Sequence, residues 1–293
     1  MHKLTLNLNN IYAVLSCVSD PLANLNELKQ VESFKIEREA SWIDTLIEKN
    51  LLSTYYQPIV SAADGKINVV GHELLSRGLD ESGGGIIPPF KMFEAARVRG
   101  RVFSLDRACR MQSVRNAGMI KDKLIFINFI PTAIYSPEHC LSTTFEIIKK
   151  MNIKPEQVVF EVVETDEVND LDHLKSILNY YQAHGFKYAL DDVGTGHNNL
   201  KKLSEMEPDI VKLAFEFTNG VSEDKAKQEA AKSVLTIAHD MNALALAEGV
   251  ETEADFHFLI EIGYDLFQGY YFSKPQEKPV EVIKKEFNRK MKA

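Results

Sequence analysis

Eight short apolar segments alternate with longer amphipathic segments over most of the 293-residue chain. This alternation predicts an α/β protein whose parallel strands close into a TIM-like (β/α)8 barrel. The apolar segments are 4 to 8 residues long and mostly near-continuous, as expected for strands that are buried on both faces. Polar or acidic residues follow most of these segments directly. An open, doubly wound sheet is the alternative fold.

The first two predicted strands are joined differently from the others. Only a turn containing Asp64 and Gly65 separates them, and a short Asp-Gly turn connects antiparallel strands. We therefore expect the barrel to begin with an antiparallel first strand and not with a crossover helix. The predicted strands are, in order, Thr54–Val60, Ile67–Glu73, Leu124–Phe129, Val158–Val163, Lys187–Asp191, Ile210–Leu213, Ala243–Ala247 and Asp265–Tyr270.

The longer segments repeat their apolar residues at the spacing of amphipathic helices. In a parallel barrel such helices connect consecutive strands and pack on the outside of the sheet. The predicted helices are Phe90–Arg99, Ser104–Ala117, Pro137–Met151, Leu171–His184, Leu200–Met206, Glu223–Met241 and Glu253–Ile262.

Residues 1–40 differ from the rest of the chain and are predicted to form an N-terminal extension. Asparagine-rich turns come first, and a charged stretch of helical character runs from Glu27 to Glu39. The extension is too short for an independent sensory domain, but it could dock a protein partner. Residues 41–285 are predicted to form the barrel, and residues 286–293 a basic C-terminal tail.

The composition excludes several classes of function. The chain has 34 Lys and Arg against 42 Asp and Glu, and this net charge of -8 argues against binding to DNA or to anionic membranes. No apolar run approaches the ~20 residues of a membrane span. The three cysteines, Cys17, Cys109 and Cys140, are few, odd in number and widely spaced, which predicts reduced thiols in a cytoplasmic protein.

Polar residues stand at the ends of nearly all the predicted strands. The carboxyl ends of parallel barrel strands meet at one rim, and that rim carries the active site. Surface exposure alone would explain one or two polar ends, but not carboxylates after so many apolar runs. The residues are Glu73, Asn128, Glu161, Glu164, Asp191, Asp192, Lys212, Glu248, Glu251 and Gln268.

These carboxylates would repel one another unless positive charge lies between them. Lys212 is the only basic residue of the set and cannot neutralise all of them. Clusters of oxygen ligands select hard cations such as Mg²⁺ or Mn²⁺. The sequence therefore predicts a divalent-metal site suited to phosphodiester chemistry, in which adjacent Asp191 and Asp192 could bridge two ions and Lys212 could orient a water.

Nine motifs together resemble the EAL-domain cyclic di-GMP phosphodiesterases of bacteria over about residues 41 to 280. They are YYQPIV (Tyr55–Val60), HELLSR (His72–Arg77), SLDRA (Ser104–Ala108), FINFIP (Phe126–Pro131), FEVVET (Phe160–Thr165), LDDVGTG (Leu190–Gly196), PDIVKL (Pro208–Leu213), LAEGVET (Leu246–Thr252) and FQGYYFSKP (Phe267–Pro275). The resemblance implies a TIM-like barrel, hydrolysis of cyclic di-GMP to linear pGpG, two Mg²⁺ or Mn²⁺ ions and a homodimer.

The resemblance also implies a role for each matching residue. It implies that the metal ligands are Glu73, Asn128, Glu161 and Asp191, and that Asp192 and Glu248 belong to the second metal. It places Lys212 near the attacking water and Gln268 at the catalytic centre, and it implies that Glu164 steadies the loop after the paired aspartates. The implied substrate contacts are Gln57, Arg77 and Asp106. For Asp106 an alternative stays open, namely a pair with Arg107 or Arg110 on a helix surface.

Three of the matching stretches depart from the family pattern. Leu74 replaces the Ala of the EAL signature, and Val193 stands where Phe is usual. Ala214 stands where the family has Asp, which removes a carboxylate near the second metal. An active phosphodiesterase is the favoured function. The alternatives are a receptor that binds cyclic di-GMP without cutting it, and a hydrolase of another phosphodiester.

Overall fold

The structure, a computed structural model, describes residues 12–13, 29–63, 65–120, 122–131, 136–163, 171–194, 206–285 and 287. In chain order the elements are β1 (Tyr12–Ala13), β2 (Lys29–Gln30), α1 (Val31–Glu39), α2 (Trp42–Glu48), β3 (Leu52–Ala63), β4 (Lys66–Leu79), β5 (Ile86–Ile87), α3 (Pro89–Val98), α4 (Val102–Asn116), β6 (Leu124–Phe129), α5 (Pro137–Lys150), β7 (Val158–Val163), α6 (Leu171–Ala183), β8 (Lys187–Val193), β9 (Ile210–Leu213), α7 (Phe215–Thr218), α8 (Lys225–Asp240), β10 (Leu244–Ala247), α9 (Glu253–Ile262) and β11 (Leu266–Phe267).

The chain divides into two compact units, and the smaller consists of the described parts of residues 1–52 and 78–105. In it β1 and β2 form an antiparallel pair, and β5 pairs with the last two residues of β4. Asp44 on α2 accepts hydrogen bonds from Arg99, at 2.8 Å from Nη2, and from Arg101, at 2.8 Å from Nε. The sequence reasoning missed α2, a helix of only 7 residues with two buried apolar side chains.

The larger unit consists of the described parts of residues 53–77 and 106–293 and contains a closed barrel. Its strands follow the order β3-β11-β10-β9-β8-β7-β6-β4, and β4 pairs back with β3. The pairs from β4 through β6 to β11 are parallel, whereas β3 is antiparallel to β11. The predicted TIM-like barrel with an antiparallel first strand is therefore confirmed, and the open-sheet alternative is wrong.

One apolar layer fills the interior of the barrel. It consists of Ile59, Phe126, Val159, Ala189, Ile210, Leu246 and Leu266, all buried. Alternate residues of the same strands point outward and pack with the helices, as Phe160 does against Tyr181 of α6 at a ring separation of 4.0 Å. The two faces of each strand are thus both apolar, which explains the near-continuous apolar runs in the sequence.

The C-terminal segment packs along the hairpin of β3 and β4. No helix connects these two strands, and Gln276 forms a bridge with Tyr56 on β3. His72 Nε2 donates to the Val280 carbonyl at 3.0 Å, and the buried Phe287 ring packs against Phe256. Phe287, which lies within the range predicted as a basic tail, therefore contributes to the core.

Several predicted boundaries differ from those observed. The strand predicted at residues 265–270 has only two residues, and the helix predicted from Glu223 begins at Lys225, after the separate short helix α7. The helix predicted at residues 200–206 lies outside the described residues except for Met206. None of the described helices is long and apolar enough to cross a bilayer.

Candidate metal centre

Seven of the predicted site residues lie one layer beyond the apolar interior of the barrel. Side chains two positions apart on a strand share a face, so a residue two positions after an interior residue also points inward, nearer the rim. The pairs are Phe126 and Asn128, Val159 and Glu161, Ala189 and Asp191, Ile210 and Lys212, Leu246 and Glu248, and Leu266 and Gln268. Because β3 runs antiparallel to the other strands, its residue in this layer comes before the interior residue and not after it. That residue is Gln57, two positions before Ile59.

The ammonium group of Lys212 lies at the centre of this layer. Its Nζ is 2.5 Å from Glu161 Oε1, 3.0 Å from Asp191 Oδ1 and 2.5 Å from Glu248 Oε1. The side chains of Lys212 and Glu161 are both fully buried. Burial alone would lower the pKa of Lys212, but the surrounding carboxylates hold it well above its usual range. The lysine is therefore a fixed positive charge.

Two amide side chains orient Glu73 on β4. Asn128 Nδ2 donates to Glu73 Oε1 at 2.7 Å, and Gln268 Nε2 donates to Glu73 Oε2 at 2.6 Å. Burial would raise the pKa of Glu73, but Lys212 and these two hydrogen bonds hold it below its usual value. Glu73 is thus kept ionised and fixed in orientation.

The carboxylates form two groups that share Glu248. Glu73, Glu161 and Glu248 each place one oxygen within 4.8 Å of the others, and so do Asp191, Asp192 and Glu248. Asp192 has a left-handed backbone with φ 55°, and its N–H donates to Asp191 Oδ1 at 3.1 Å. This turn presents two adjacent carboxylates at the end of β8.

The charge balance of the cluster fits divalent cations. Burial and the neighbouring carboxylates raise the pKa of Glu161 well above its usual value, and burial, Asp191 and Glu73 raise that of Glu248 to about 8. Burial and Asp191 also raise the pKa of Asp192. Neither oxygen of Glu161 makes a hydrogen bond of ordinary geometry within the described residues. Carboxylate and amide oxygens with surplus negative charge are the donor set that hard cations prefer.

A close contact between the backbones of Gly269 and Val250 helps to place Gln268 and Glu248 in this layer. Gly269 follows Gln268, and a Cβ atom there would collide with the backbone of Val250. The Val250 N–H donates to the Gln268 carbonyl at 2.9 Å, and the Gln268 N–H donates to the Ala247 carbonyl at 2.9 Å. Only glycine permits this approach, which places Gln268 beside the segment that carries Glu248.

Arg77, a residue predicted to contact the substrate, lies beside an aromatic ring. Its guanidinium carbon is 5.4 Å from the centroid of the Tyr55 ring, and the Tyr55 hydroxyl donates to Glu277 Oε1 at 3.1 Å. An open groove of about 650 Å³ adjoins this tyrosine. It is lined by Tyr55, Ser273, Pro275, Gln276, Glu277, Lys278 and Val280. Tyr55, Ser273 and Pro275 lie within motifs quoted above, but the sequence predicted no role for any residue of this groove.

Asp106 lies in a buried ion pair. Its Oδ2 is 3.0 Å from Arg110 Nη2, with side-chain exposures of 3% and 0%, and its Oδ1 accepts the Ile130 N–H at 3.0 Å. Of the two arginines left open as partners, the structure pairs Asp106 with Arg110, inside the protein and not on a helix surface. Glu164 and the loop residues 195–199 lie outside the described part of the chain.

Ala214 is the N-cap residue that precedes α7 at the same rim. It is fully buried, and its N–H donates to the Val193 carbonyl at 3.3 Å. The rings of Phe215 and Phe217 on α7 lie against Gly249 and Gly194, the former directly after Glu248 and the latter two residues after Asp192. Two aromatic rings of α7 therefore pack against the backbone that follows Glu248 and Asp192.

The fold and this cluster define a TIM-like barrel with a candidate divalent-metal centre at the carboxyl ends of its strands. The chain belongs to the EAL domain family, whose model matches residues 40–275. It is 31% identical over 230 residues to the probable cyclic di-GMP phosphodiesterase PdeG of Escherichia coli, covering 75% of this chain and 44% of PdeG. It is 26% identical over 264 residues to the bifunctional diguanylate cyclase/cyclic di-GMP phosphodiesterase MucR of Pseudomonas aeruginosa, covering 88% of this chain and 37% of MucR. Each match spans less than half of the relative's length.

Solved structures show the same barrel. A standalone EAL protein from Vibrio cholerae O395 in its c-di-GMP-bound form is 33% identical, with a TM-score of 0.69 over 79% of this chain and 95% of that one. The manganese/cy-diGMP complex of BlrP1 from Klebsiella pneumoniae is 27% identical, with a TM-score of 0.68 over 77% of this chain and 56% of that one.

Proposed function

We propose that this chain hydrolyses cyclic di-GMP to linear pGpG with the help of two divalent cations, Mg²⁺ or Mn²⁺. The observation that carries the proposal is the inward-facing layer of carboxylates around Lys212, with its surplus of negative charge. The c-di-GMP-bound state of the Vibrio cholerae protein and the manganese complex of BlrP1 support the choice of substrate and cofactor.

The assignment of the metal ligands rests on the family resemblance. The oxygen groups support it in part, since Glu73 lies with Glu161 and Asp192 lies with Glu248, but they also bring Asp191 together with Asp192 and Glu248. Glu73, Asn128, Glu161 and Asp191 are the proposed ligands of one ion, and Asp192 and Glu248 belong to the other. When bound, such cations would neutralise the phosphodiester and make the attacking water more acidic.

The protein's own residues fix the geometry of this chemistry. The Lys212 ammonium, which donates and cannot act as a base while protonated, orients the water or stabilises charge that builds on the phosphate. Gln268 holds Glu73 in one orientation. Because Lys212 and Glu161 are fully buried, these charges act in a medium of low dielectric, where electrostatic stabilisation is strong.

Three residues are proposed to bind the substrate. Arg77 can grip a phosphate with two hydrogen bonds, and Gln57 belongs to the inward-facing layer. Asp106 keeps lone pairs beyond those used by Arg110 and Ile130, and these could accept from the N1 and N2 edge of a guanine. Glu164 is proposed to steady the loop after Asp192.

The direct test of the proposed function is incubation of the purified protein with cyclic di-GMP and Mn²⁺, then Mg²⁺, followed by chromatography. We expect pGpG to form and its formation to stop on addition of a chelator. Intact ligand that stays tightly bound would instead identify a receptor. Competition by linear dinucleotides and other cyclic dinucleotides would distinguish a hydrolase of another phosphodiester.

The receptor alternative rests on Ala214, and Ala214→Asp tests it. A carboxylate at this position would add charge beside the second metal and would suit the N-cap of α7. We expect the variant to reach half-maximal activity at a severalfold lower Mn²⁺ concentration, whereas the matched Ala214→Asn variant, without the charge, should not. An unchanged or higher Mn²⁺ concentration for half-maximal activity in Ala214→Asp would contradict the idea that second-metal occupancy limits turnover.

Three wider predictions stay proposals. They are a homodimer, a protein partner bound through residues 1–40, and a cytoplasmic location. A monomeric mass in light scattering at micromolar concentration would refute the homodimer.

A further inference from the structure

The buried pair of Asp106 and Arg110 is connected to the metal centre through the backbone. β6 ends at Phe129, and the next residue, Ile130, donates its N–H to Asp106 Oδ1 at 3.0 Å. Asn128, two residues before Ile130, donates to Glu73 at 2.7 Å. The chain of contacts therefore runs from Arg110 through Asp106 and the Ile130 backbone to the amide that orients Glu73.

A buried ion pair of this kind is not explained by packing alone. Replacing a buried pair by apolar side chains of similar volume is often neutral or stabilising, so such pairs are weak evidence for stability. Arg110 is fully buried and lies one helical turn after Asp106 on α4. The Arg110 side chain has no exposed surface with which to touch a ligand, and it forms an ion pair with Asp106.

We propose that Asp106 is a positioning residue of the metal centre: its carboxylate holds the backbone after β6 and thereby sets Asn128 against Glu73, while Arg110 balances the charge of this buried carboxylate and orients it. The proposal rests on the proposed metal-dependent function. This positioning role is separate from the predicted contact of Asp106 with the substrate. A carboxylate has about four lone-pair sites, and the contacts with Arg110 and with the Ile130 N–H use only two of them. A contact with substrate alters nucleotide binding, whereas the positioning role alters metal binding without nucleotide.

Two double variants form a matched pair for the test. Asp106→Asn with Arg110→Met removes both charges but keeps an oxygen that can accept the Ile130 N–H. Asp106→Leu with Arg110→Met removes both charges and the acceptor. Neither leaves the charge of Asp106 or of Arg110 buried without the other, and an unpaired buried charge is a main cause of destabilisation. Circular dichroism and the melting temperature check that each is folded.

The readout is Mn²⁺ binding to the nucleotide-free protein by isothermal titration calorimetry. We expect the Asp106→Leu double variant to bind Mn²⁺ about 10-fold more weakly or worse, since the loss of a group that orients a metal ligand costs ~10–100-fold. The Mn²⁺ affinity of the Asp106→Asn double variant should stay within about threefold of that of the unmodified chain, because the acceptor for the Ile130 N–H is retained.

The remaining outcomes separate this inference from the proposed function. Equal Mn²⁺ affinity in both double variants, whether unchanged or weakened, overturns the inference. Absence of Mn²⁺ binding by the unmodified chain overturns the proposed function instead. If neither double variant folds, the Arg110→Lys variant replaces them, because lysine keeps the charge without the planar fork. Weaker Mn²⁺ binding at an unchanged melting temperature then supports the inference, and unchanged binding overturns it.

Discussion

Replacement of Glu73 by alanine is expected to abolish hydrolysis, with a loss of at least about 100-fold in kcat/KM, because the loss of even an outer partner of a metal ligand costs ~10–100-fold. Glu73 is fixed by Asn128 and Gln268 and lies within 4.8 Å of the oxygens of Glu161 and Glu248. Its removal deletes one proposed ligand and leaves the two amides without their acceptor. Steady-state kinetics at saturating Mn²⁺ measure the effect.

Two further variants make the Glu73 result specific. Glu73→Gln keeps the volume and one oxygen but not the charge, and it should also be severely impaired. Glu229→Ala removes an exposed carboxylate whose contact is a surface pair with Lys232, and it should be nearly normal. Near-normal hydrolysis by Glu73→Ala would refute the site assignment.

Replacement of Lys212 by methionine is expected to affect both stability and catalysis. In the metal-free protein it leaves Glu161, Asp191 and Glu248 facing one another without a cation. Breaking a buried ion pair in this way costs about 3–5 kcal/mol of unfolding free energy. With metal present, the loss of a preorganised donor should still lower kcat by ~10²–10³-fold.

Urea unfolding with a chelator and with Mn²⁺ separates the two effects. We expect Mn²⁺ to restore part of the lost stability of Lys212→Met, because a bound cation replaces the missing positive charge. Lys232→Met is the matched control, since Lys232 is 46% exposed and pairs with Glu229 on the surface. Exposed pairs contribute ~0.2–1 kcal/mol, so a comparable loss in both variants would contradict the account of Lys212.

The barrel and its metal centre could be predicted because their signals are local in the sequence. Strands buried on both faces read as continuous apolar runs, and the residue that ends each run is polar wherever the strand reaches the rim. The strand period of two then places Glu161 and Lys212 on the same face as Val159 and Ile210, facing one interior. The Asp-Gly turn likewise revealed the antiparallel first strand.

The misses involve contacts that depend on distant parts of the chain. A pair of Asp106 and Arg110 at i, i+4 has the same spacing whether it is exposed or buried, and only the packing around α4 shows that it is inside. The last predicted strand stopped at Phe267 because the next residues turn against Val250. The packing of Phe287 against Phe256 on α9 joins residues far apart in the sequence, so no local pattern indicates it.

The central claim is that divalent cations balance the carboxylates around Lys212. Crystals grown with Mn²⁺ and measured at the manganese absorption edge test it most directly. We expect anomalous peaks among the oxygens of the two groups, one of Glu73, Glu161 and Glu248 and the other of Asp191, Asp192 and Glu248. A map with no peak there, and with Lys212 alone contacting Glu161, Asp191 and Glu248, would contradict the claim.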